Sequence, residues 1–472
     1  MDSVKSGGRR PAMGTVLVPV LFLIIVTMCK KIPLIGGNMT IAFLGAGLLA
    51  LLSGGALDPT AWLGPWLSSF NSIAFIFYIV LLGAIFSALQ VETGAMETVL
   101  NILRALFGRT PAGLVFAILL ALYIGGALMG TVAAVGAVIG LLVVPSLKEM
   151  GMKGYLICAT IVTGASLGGM MPPVSNAVIL AAGLVNMDPS DALLISYGSV
   201  GIGMVVVTLF FCRFYIGKHY HVPEDLIPKE SAGTILAWNW PKLIPLMVLI
   251  LCVMLNSIPS IKFDLPGWLL GLLPGWDGSL YHSIRGIYIL GKITNNIVMS
   301  MILAILACFV TAPGLWKKMS GKLSKRLESI VEPELILMAT AFFLGAFKLG
   351  GQNHAISTWA AGLDSTFLII GGSFALVAAG MLTGGQSTAQ SMLLPILAPA
   401  WSSIGISDLD IALASSHLGM AGQGLPPCDM NTFIIAGLVG ALLGETVNPM
   451  KSMIYSSPYC IYLMAAGLYF LF

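Results

Sequence analysis

The sequence predicts an all-α polytopic membrane protein built from two inverted-topology repeats with helical hairpins and broken helices. Three observations carry that expectation. Hydrophobic residues make up 57% of the 472 and charged residues only 9%, against about 25% charged in soluble chains. Apolar segments recur along the whole length, and many are too short to cross a bilayer alone. A stretch in each half repeats with its glycines and prolines in register. The net charge is +3, from 23 Lys+Arg against 20 Asp+Glu. The bases sit in short clusters between apolar blocks, which argues against nucleic acid and for the lipid bilayer as partner. Seven cysteines lie apart in apolar surroundings and form no Cys-x-x-Cys pair, so a metal or disulfide framework is not expected. Lys5, Arg9 and Arg10 precede the first apolar run with no small-residue cleavage site after them, so that run is expected to be retained.

A crossing needs about 20 apolar residues, fewer if the helix stops inside the bilayer. Candidate segments run from Gly14–Cys29 to Tyr455–Phe472, with short ones such as Tyr155–Gly168, Val174–Val185, Ser391–Trp401 and Ile411–Met420 bounded by glycine or proline. Irregular backbone of that kind is tolerated at membrane depth only where protein or a water-filled cavity satisfies it. Two polar interruptions, Lys218–Asn239 and Trp316–Glu332, divide the chain into a first membrane half (1–216), a linker region with two connecting spans and an amphipathic helix (217–332), and a second membrane half (333–472). The positive-inside rule places both interruptions in the cytoplasm. Parity then puts Lys30, Arg104, Lys148 and Lys451 inside, and Asp188–Asp191, Asp58–Trp66, Asp408 and Asp410 outside; Lys5, Arg9, Arg10 and Lys348 disagree. Leu315, Met319, Leu323, Leu327 and Ile330 have near-helical spacing among lysines, the pattern of a surface-lying helix.

Sliding the chain against itself by 254 positions superposes Gly126–Leu184 on Gly380–Leu438, with twelve identities in 59 positions. The matches concentrate in glycine and proline, the residues that set backbone shape. By the parity above, one copy crosses outward and the other inward, an arrangement found in secondary transporters.

Each copy contains two breaks. The first is a glycine-rich tip, Gly125–Thr131 in one copy and Gly380–Thr388 in the other. The second is a double proline, Pro172-Pro173 or Pro426-Pro427. Two prolines remove two backbone donors and cannot continue a helix, so the chain must unwind. Unwinding frees carbonyls for a cation, while the next helix presents its first amides to an anion. Four converging breaks would hold Na+ and a carboxylate with few charged side chains. The expected substrate contacts are Gly130, Thr131, Ser175, Asn176, Gly384, Gly385, Gln386, Ser387, Thr388 and Asn431. The expected Na+ ligands are Gly168, Pro172, Thr383, Gly422, Gln423, Pro426 and Asp429.

At Glu92-Thr93-Gly94, Leu103–Gly108, Gly130–Gly136, Met171-Pro172-Pro173 and Gly424-Leu425-Pro426-Pro427, the chain resembles the large membrane subunit (DctM-like) of tripartite ATP-independent periplasmic (TRAP) transporters, within the ion transporter superfamily. The resemblance covers most of the chain outside Pro223–Glu332. It implies an elevator-type transporter in the inner (plasma) membrane, with sodium symport of a small organic anion. It also implies a periplasmic binding protein and a small membrane subunit as companions; a homodimer is the other assembly considered. Sodium/proton antiporter-type and gluconate-type carriers of the same superfamily stay open as alternatives.

Each residue also has a structural reading. Glycines at the breaks serve helix packing as readily as ligands, and the hydroxyls and amides there are natural caps. Asp429 stands out, because an ionisable group at membrane depth is costly and tends to mark an ion path; its competing role is an N-cap. His417, on the apolar run Ser415–Leu418, reads more simply as a satisfied buried histidine than as a proton carrier. An intramembrane enzyme would need a catalytic pair, and only Asp429 and His417 lie at plausible depth. No Gly-x4-Gly-Lys-Ser/Thr loop is present, so no nucleotide-driven mechanism is expected.

Overall fold

The structure is a computed structural model that describes residues 14–29, 31–217, 220–223, 226, 228–258, 261, 264–271, 279–315, 328 and 330–472. Among them the chain is helical and contains no strand. The expected amphipathic helix falls mainly on 316–327, outside the described residues, as do Lys5, Arg9, Arg10 and Lys30.

The helices are α1 Gly14–Met28, α2 Met39–Ser53, α3 Leu63–Thr93, α4 Ala95–Phe107, α5 Pro111–Met129, α6 Val132–Glu149, α7 Gly154–Met170, α8 Asn176–Leu184, α9 Pro189–Ile216, α10 Ala232–Ser257, α11 Leu265–Gly271, α12 Ser279–Gly286 and α13 Asn296–Thr311. After the second interruption come α14 Val331–Leu349, α15 Gln352–Ala360, α16 Ser365–Thr383, α17 Gln386–Ser403, α18 Asp408–Gly424, α19 Met430–Leu443 and α20 Pro449–Tyr469. Six described helices are long and apolar enough to span a membrane, or seven if α14 and α15, bent by 70° at Gly350-Gly351, form one broken span. The expectation of an all-α polytopic membrane chain stands.

Short polar residues start several of these helices. Thr110 Oγ1 accepts from the Gly113 amide at 3.1 Å, Asp364 Oδ1 from Phe367 at 3.1 Å and Ser407 Oγ from Asp410 at 3.1 Å. Each satisfies an amide that the first turn leaves without a partner. Helix α3 begins earlier than its apolar run indicates, taking in Trp66, Ser68, Ser69 and Asn71. Trp66 pays for that extension in contacts: its indole donates to the Met338 carbonyl at 3.3 Å and its ring meets Phe342 edge-on at 6.0 Å.

Packing separates an outer group, α1, α2, α3, α10, α13 and α14, from an inner group, α5–α8 with α16–α20. In the inner group, α7 and α8 of the first half touch α17, α18, α19 and α20 of the second. The two halves therefore interlock rather than lie side by side.

The bounds of α5, α6 and α7 each recur 254 positions later as those of α16, α17 and α18, and α8 and α19 start at the same offset. Packing repeats too. A Cβ on Gly126 would stand 2.5 Å from the Gly168 Cα, and one on Gly380 would stand 2.9 Å from the Gly422 Cα. These glycines let α5 cross α7, and α16 cross α18, at backbone contact.

Candidate functional site

The tips are shorter than their glycine content indicates. Helix α5 continues through Gly125 and Gly126, and only Gly130 and Thr131 form the turn; α16 continues to Thr383, leaving Gly384 and Gly385. Gly130 and Gly384 are left-handed, with φ of +66° and +68°, a conformation that costs a side chain through its Cβ.

Each tip rests against the unwound stretch of its own half. The Val174 amide donates to the Ala127 carbonyl at 3.0 Å, and a Cβ on Gly130 would meet the Val174 carbonyl oxygen at 2.7 Å. In the second half, a Cβ on Gly384 would meet the Cys428 carbonyl oxygen at 1.9 Å. Both double prolines interrupt their helices as their chemistry requires; Met171 and Leu425 are extended, and both Pro-Pro bonds are cis.

The two breaks differ in charge. Ser175 caps α8, its Oγ accepting from Val178 at 3.4 Å, and beside it the buried Asn176 Oδ1 has no hydrogen-bond partner. A buried acceptor without a partner is costly and asks for a ligand, an ion or water. At the matching place in the second half, Asp429 caps α19. Its Oδ1 accepts from the Asn431 amide at 3.1 Å and its Oδ2 from the Thr432 hydroxyl, with the residue wholly buried. The capping role of Asp429 is therefore present in the geometry.

Of the other expected residues, Gly168, Pro172, Gly422 and Gln423 are buried at the breaks, and Pro426 and Asn431 are half-buried. Gly168 and Gly422 serve the helix crossings described above. The Thr383 hydroxyl donates back to the Ala379 carbonyl at 2.7 Å, and Gln423 Oε1 accepts from the Gln386 amide at 2.8 Å. Thr131 and Ser387 are exposed, while Gly385 and Thr388 are half-buried. The tips and breaks thus offer main-chain groups, three amide side chains at first turns (Asn176, Gln386 and Asn431), one carboxylate and exposed hydroxyls. Oxygen donors of this kind suit a hard cation, and helix N-termini suit an anion.

Sequence reasoning missed a polar lining behind Asp429. Tyr459 lies against Ser166 and within electrostatic reach of Asp429, and its hydroxyl would stand 1.7 Å from a Cβ on Gly424. Ser166 and Tyr459 are both wholly buried. It also missed Gln390, which joins the halves. The available signal was small polar residues placed mid-helix, away from any break.

His417 has both ring nitrogens engaged: Nδ1 lies 2.7 Å from the Leu413 carbonyl, and Nε2 lies 3.0 Å from Ser199 Oγ. The carbonyl can only accept, so Nδ1 carries the proton and Nε2 accepts from the hydroxyl. His417→Gln is expected to lower stability by about 1 kcal/mol, the worth of one buried hydrogen bond. Its transport rate should stay within about twofold of the parent; a complete loss of uptake by a well-folded variant would make His417 part of the transport path. A cavity of about 550 Å³ between α9, α10 and α13, lined by Asp188, Asp191, Asn256, Arg285 and Lys292, includes no tip or break residue.

Solved structures of membrane transporters share this architecture. The YdaH transporter of Alcanivorax borkumensis is 15% identical, with a TM-score of 0.60 and 97% of each chain covered. MtrF of Neisseria gonorrhoeae, described as illuminating a class of antimetabolite efflux pumps, is 14% identical, with a TM-score of 0.61, covering 96% of this chain and 94% of its own. At such identities the likeness speaks for the fold alone. No curated protein matches the sequence. Residues 11–472 match the family described as tripartite ATP-independent periplasmic transporter, DctM component, whose members transport rather than catalyse and work with a substrate-binding protein and a small membrane subunit. The chain therefore belongs to the DctM family, the large membrane component of TRAP secondary transporters, and is a multi-pass membrane protein.

Proposed function

We propose that the chain is a sodium-coupled symporter of a small organic anion, a carboxylate, and that it works by an elevator motion of the inner helices against the outer ones. The observation that carries this reading is the paired construction of tip on break, each closed by a left-handed glycine, with an unpartnered acceptor, Asn176 Oδ1, at one and a buried carboxylate, Asp429, at the other. We read α5–α8 and α16–α19 as two copies of one unit set in opposite senses across the membrane, in support of which stands the common offset of their bounds.

In this reading Asn176 and the carbonyls around Pro172 hold one Na+, while Asp429, Thr383 and the carbonyls around Gly422 and Pro426 hold a second. The substrate carboxylate then meets the first turn of α17 together with Gln386, Ser387, Thr388 and Asn431, the first amides of α19 being held by Asp429 and the Gly384 carbonyl. With a monovalent anion, sodium on both breaks offsets the charge of Asp429 and of the anion, so the loaded carrier crosses near neutrality; holding both sodium ions without the anion, it carries a net charge into a poor solvent. Coupling is then electrostatic. The inner (plasma) membrane is the location this function requires.

Reconstituted protein should take up a labelled dicarboxylate, sialic acid or another organic acid only under an inward sodium gradient, tested with and without the family's companion subunits. Uptake that ignores the sodium gradient would exclude sodium coupling. Sodium-driven movement of protons without organic substrate would instead favour exchange through Asp429.

A further inference from the structure

The second half contains a chain of three buried glutamines that the first half lacks. Gln423, near the end of α18, accepts the Gln386 amide through Oε1 at 2.8 Å, standing in for the cap that Gly385 cannot supply. The Gln386 side-chain amide donates to Gln390 Oε1 one turn along α17, and Gln390 Nε2 donates to the Ala177 carbonyl of α8 at 3.1 Å. Their exposures are 6%, 0% and 5% in the order Gln386, Gln390, Gln423. The bonds run from the second tip, along the first turn of α17, to the first turn after the other half's double proline.

The direction of the chain is dictated at its far end. The Ala177 carbonyl can only accept, so Gln390 must turn its NH₂ toward it and its oxygen toward Gln386, which must then present its own NH₂. At the equivalent places in the first half stand Val132, Gly136 and Gly169, with no polar side chain. There the Val132 methyl packs on Gly169, and Gly136 packs on Ile435 of α19. Gly419 makes room for the second-half chain: a Cβ there would press on Gln390 Cγ at 3.3 Å and lie 3.6 Å from Gln386 Cγ. Buried amide networks are retained where they specify one arrangement, because each member left unpaired is costly.

We propose that Gln390 is a positioning residue that couples the two half-sites, so that a cation held at one break raises the affinity of the other. Gln390 reaches neither tip nor break itself; it acts by holding Gln386 and the first turn of α8 at one separation. An ion that fixes either end fixes its partner through the shared hydrogen bonds, which gives the coupling free energy a physical route. This inference rests on the sodium reading of the site above.

The test uses the purified full chain, alone and with its companion subunits, titrated with NaCl against choline chloride while thermal stability is followed. The parent should be stabilised by sodium with a Hill slope above one. In Gln390→Met, which keeps the length but not the hydrogen bonds, the slope should fall to one and the midpoint should rise by about fivefold or more. Gln390→Asn, whose amide is too short to span both partners, should behave alike and serves if the methionine variant does not purify. A parent-like slope and midpoint in either variant overturns the coupling and leaves the sodium reading intact. If the parent ignores sodium, the sodium reading fails. Amide exchange over residues 178–181 then decides: it should be about three- to tenfold faster without the Gln390 bond, the factor one lost buried hydrogen bond carries, and unchanged exchange overturns the positioning role.

Discussion

Replacing Gly384 by alanine is expected to abolish transport and to destabilise the protein more than alanine at Gly130, Gly94 or Gly444. Two costs add there. The left-handed backbone at φ +68° penalises a Cβ by about 1–2 kcal/mol. The new methyl would also stand 1.9 Å from the Cys428 carbonyl oxygen, which neither a rotamer change nor a flexible side chain can relieve. The second tip must then lift off the unwound stretch beside Asp429. Gly130→Ala meets the Val174 oxygen at 2.7 Å and should be milder. Gly444→Ala and Gly94→Ala share the same φ with open space around the Cβ, so they report the backbone cost alone. Thermal melts and uptake assays on the four variants give the ranking, and a Gly384 variant no worse than the Gly444 one would show that the tip does not need to touch the break.

The breaks were legible because proline chemistry is local. Two adjacent prolines stop a helix whatever surrounds them, and the unwinding at Pro172-Pro173 and Pro426-Pro427 follows. The extent of the tips was less legible. Gly125, Gly126 and Gly380 read as turn residues, yet each is helical; absence of a Cβ serves a turn and a close helix crossing equally well, and only the position of the crossing backbone distinguishes them. The polar lining was invisible for another reason. Ser166, Gln390 and Tyr459 lie inside regular helices, where the sequence gives no sign of which face meets lipid and which meets another helix. In a helix apolar all round, such as α7, the usual amphipathic signal is missing. The start of α3 was misplaced because Ser68, Ser69 and Asn71 look like loop residues until Trp66 is seen anchored on α14.

Asparagine and alanine at Asp429 should separate capping from charge. Asparagine is as good an N-cap as aspartate, so Asp429→Asn is expected to keep α19 within about 0.5 kcal/mol of the parent, whereas Asp429→Ala loses about 1 kcal/mol or more. If Asp429 only caps, transport follows stability: the asparagine variant works and the alanine variant is impaired. If its charge balances sodium, both fail alike, because a neutral amide cannot compensate a buried cation. We expect the second pattern, with sodium-dependent uptake reduced at least about 100-fold in both, since a lost buried charge partner costs about 3–5 kcal/mol. The packing around Asp429 supports that ordering. Its capping bonds go to the Asn431 amide and the Thr432 hydroxyl, which a cap alone explains; but the buried Tyr459 hydroxyl, within electrostatic reach of Asp429 and lying against Ser166, adds oxygen to a region that capping does not require. Parent-like sodium dependence in Asp429→Asn would reduce the carboxylate to a cap and leave Asn176, with the carbonyls around Pro172, as the only cation site of the present reading.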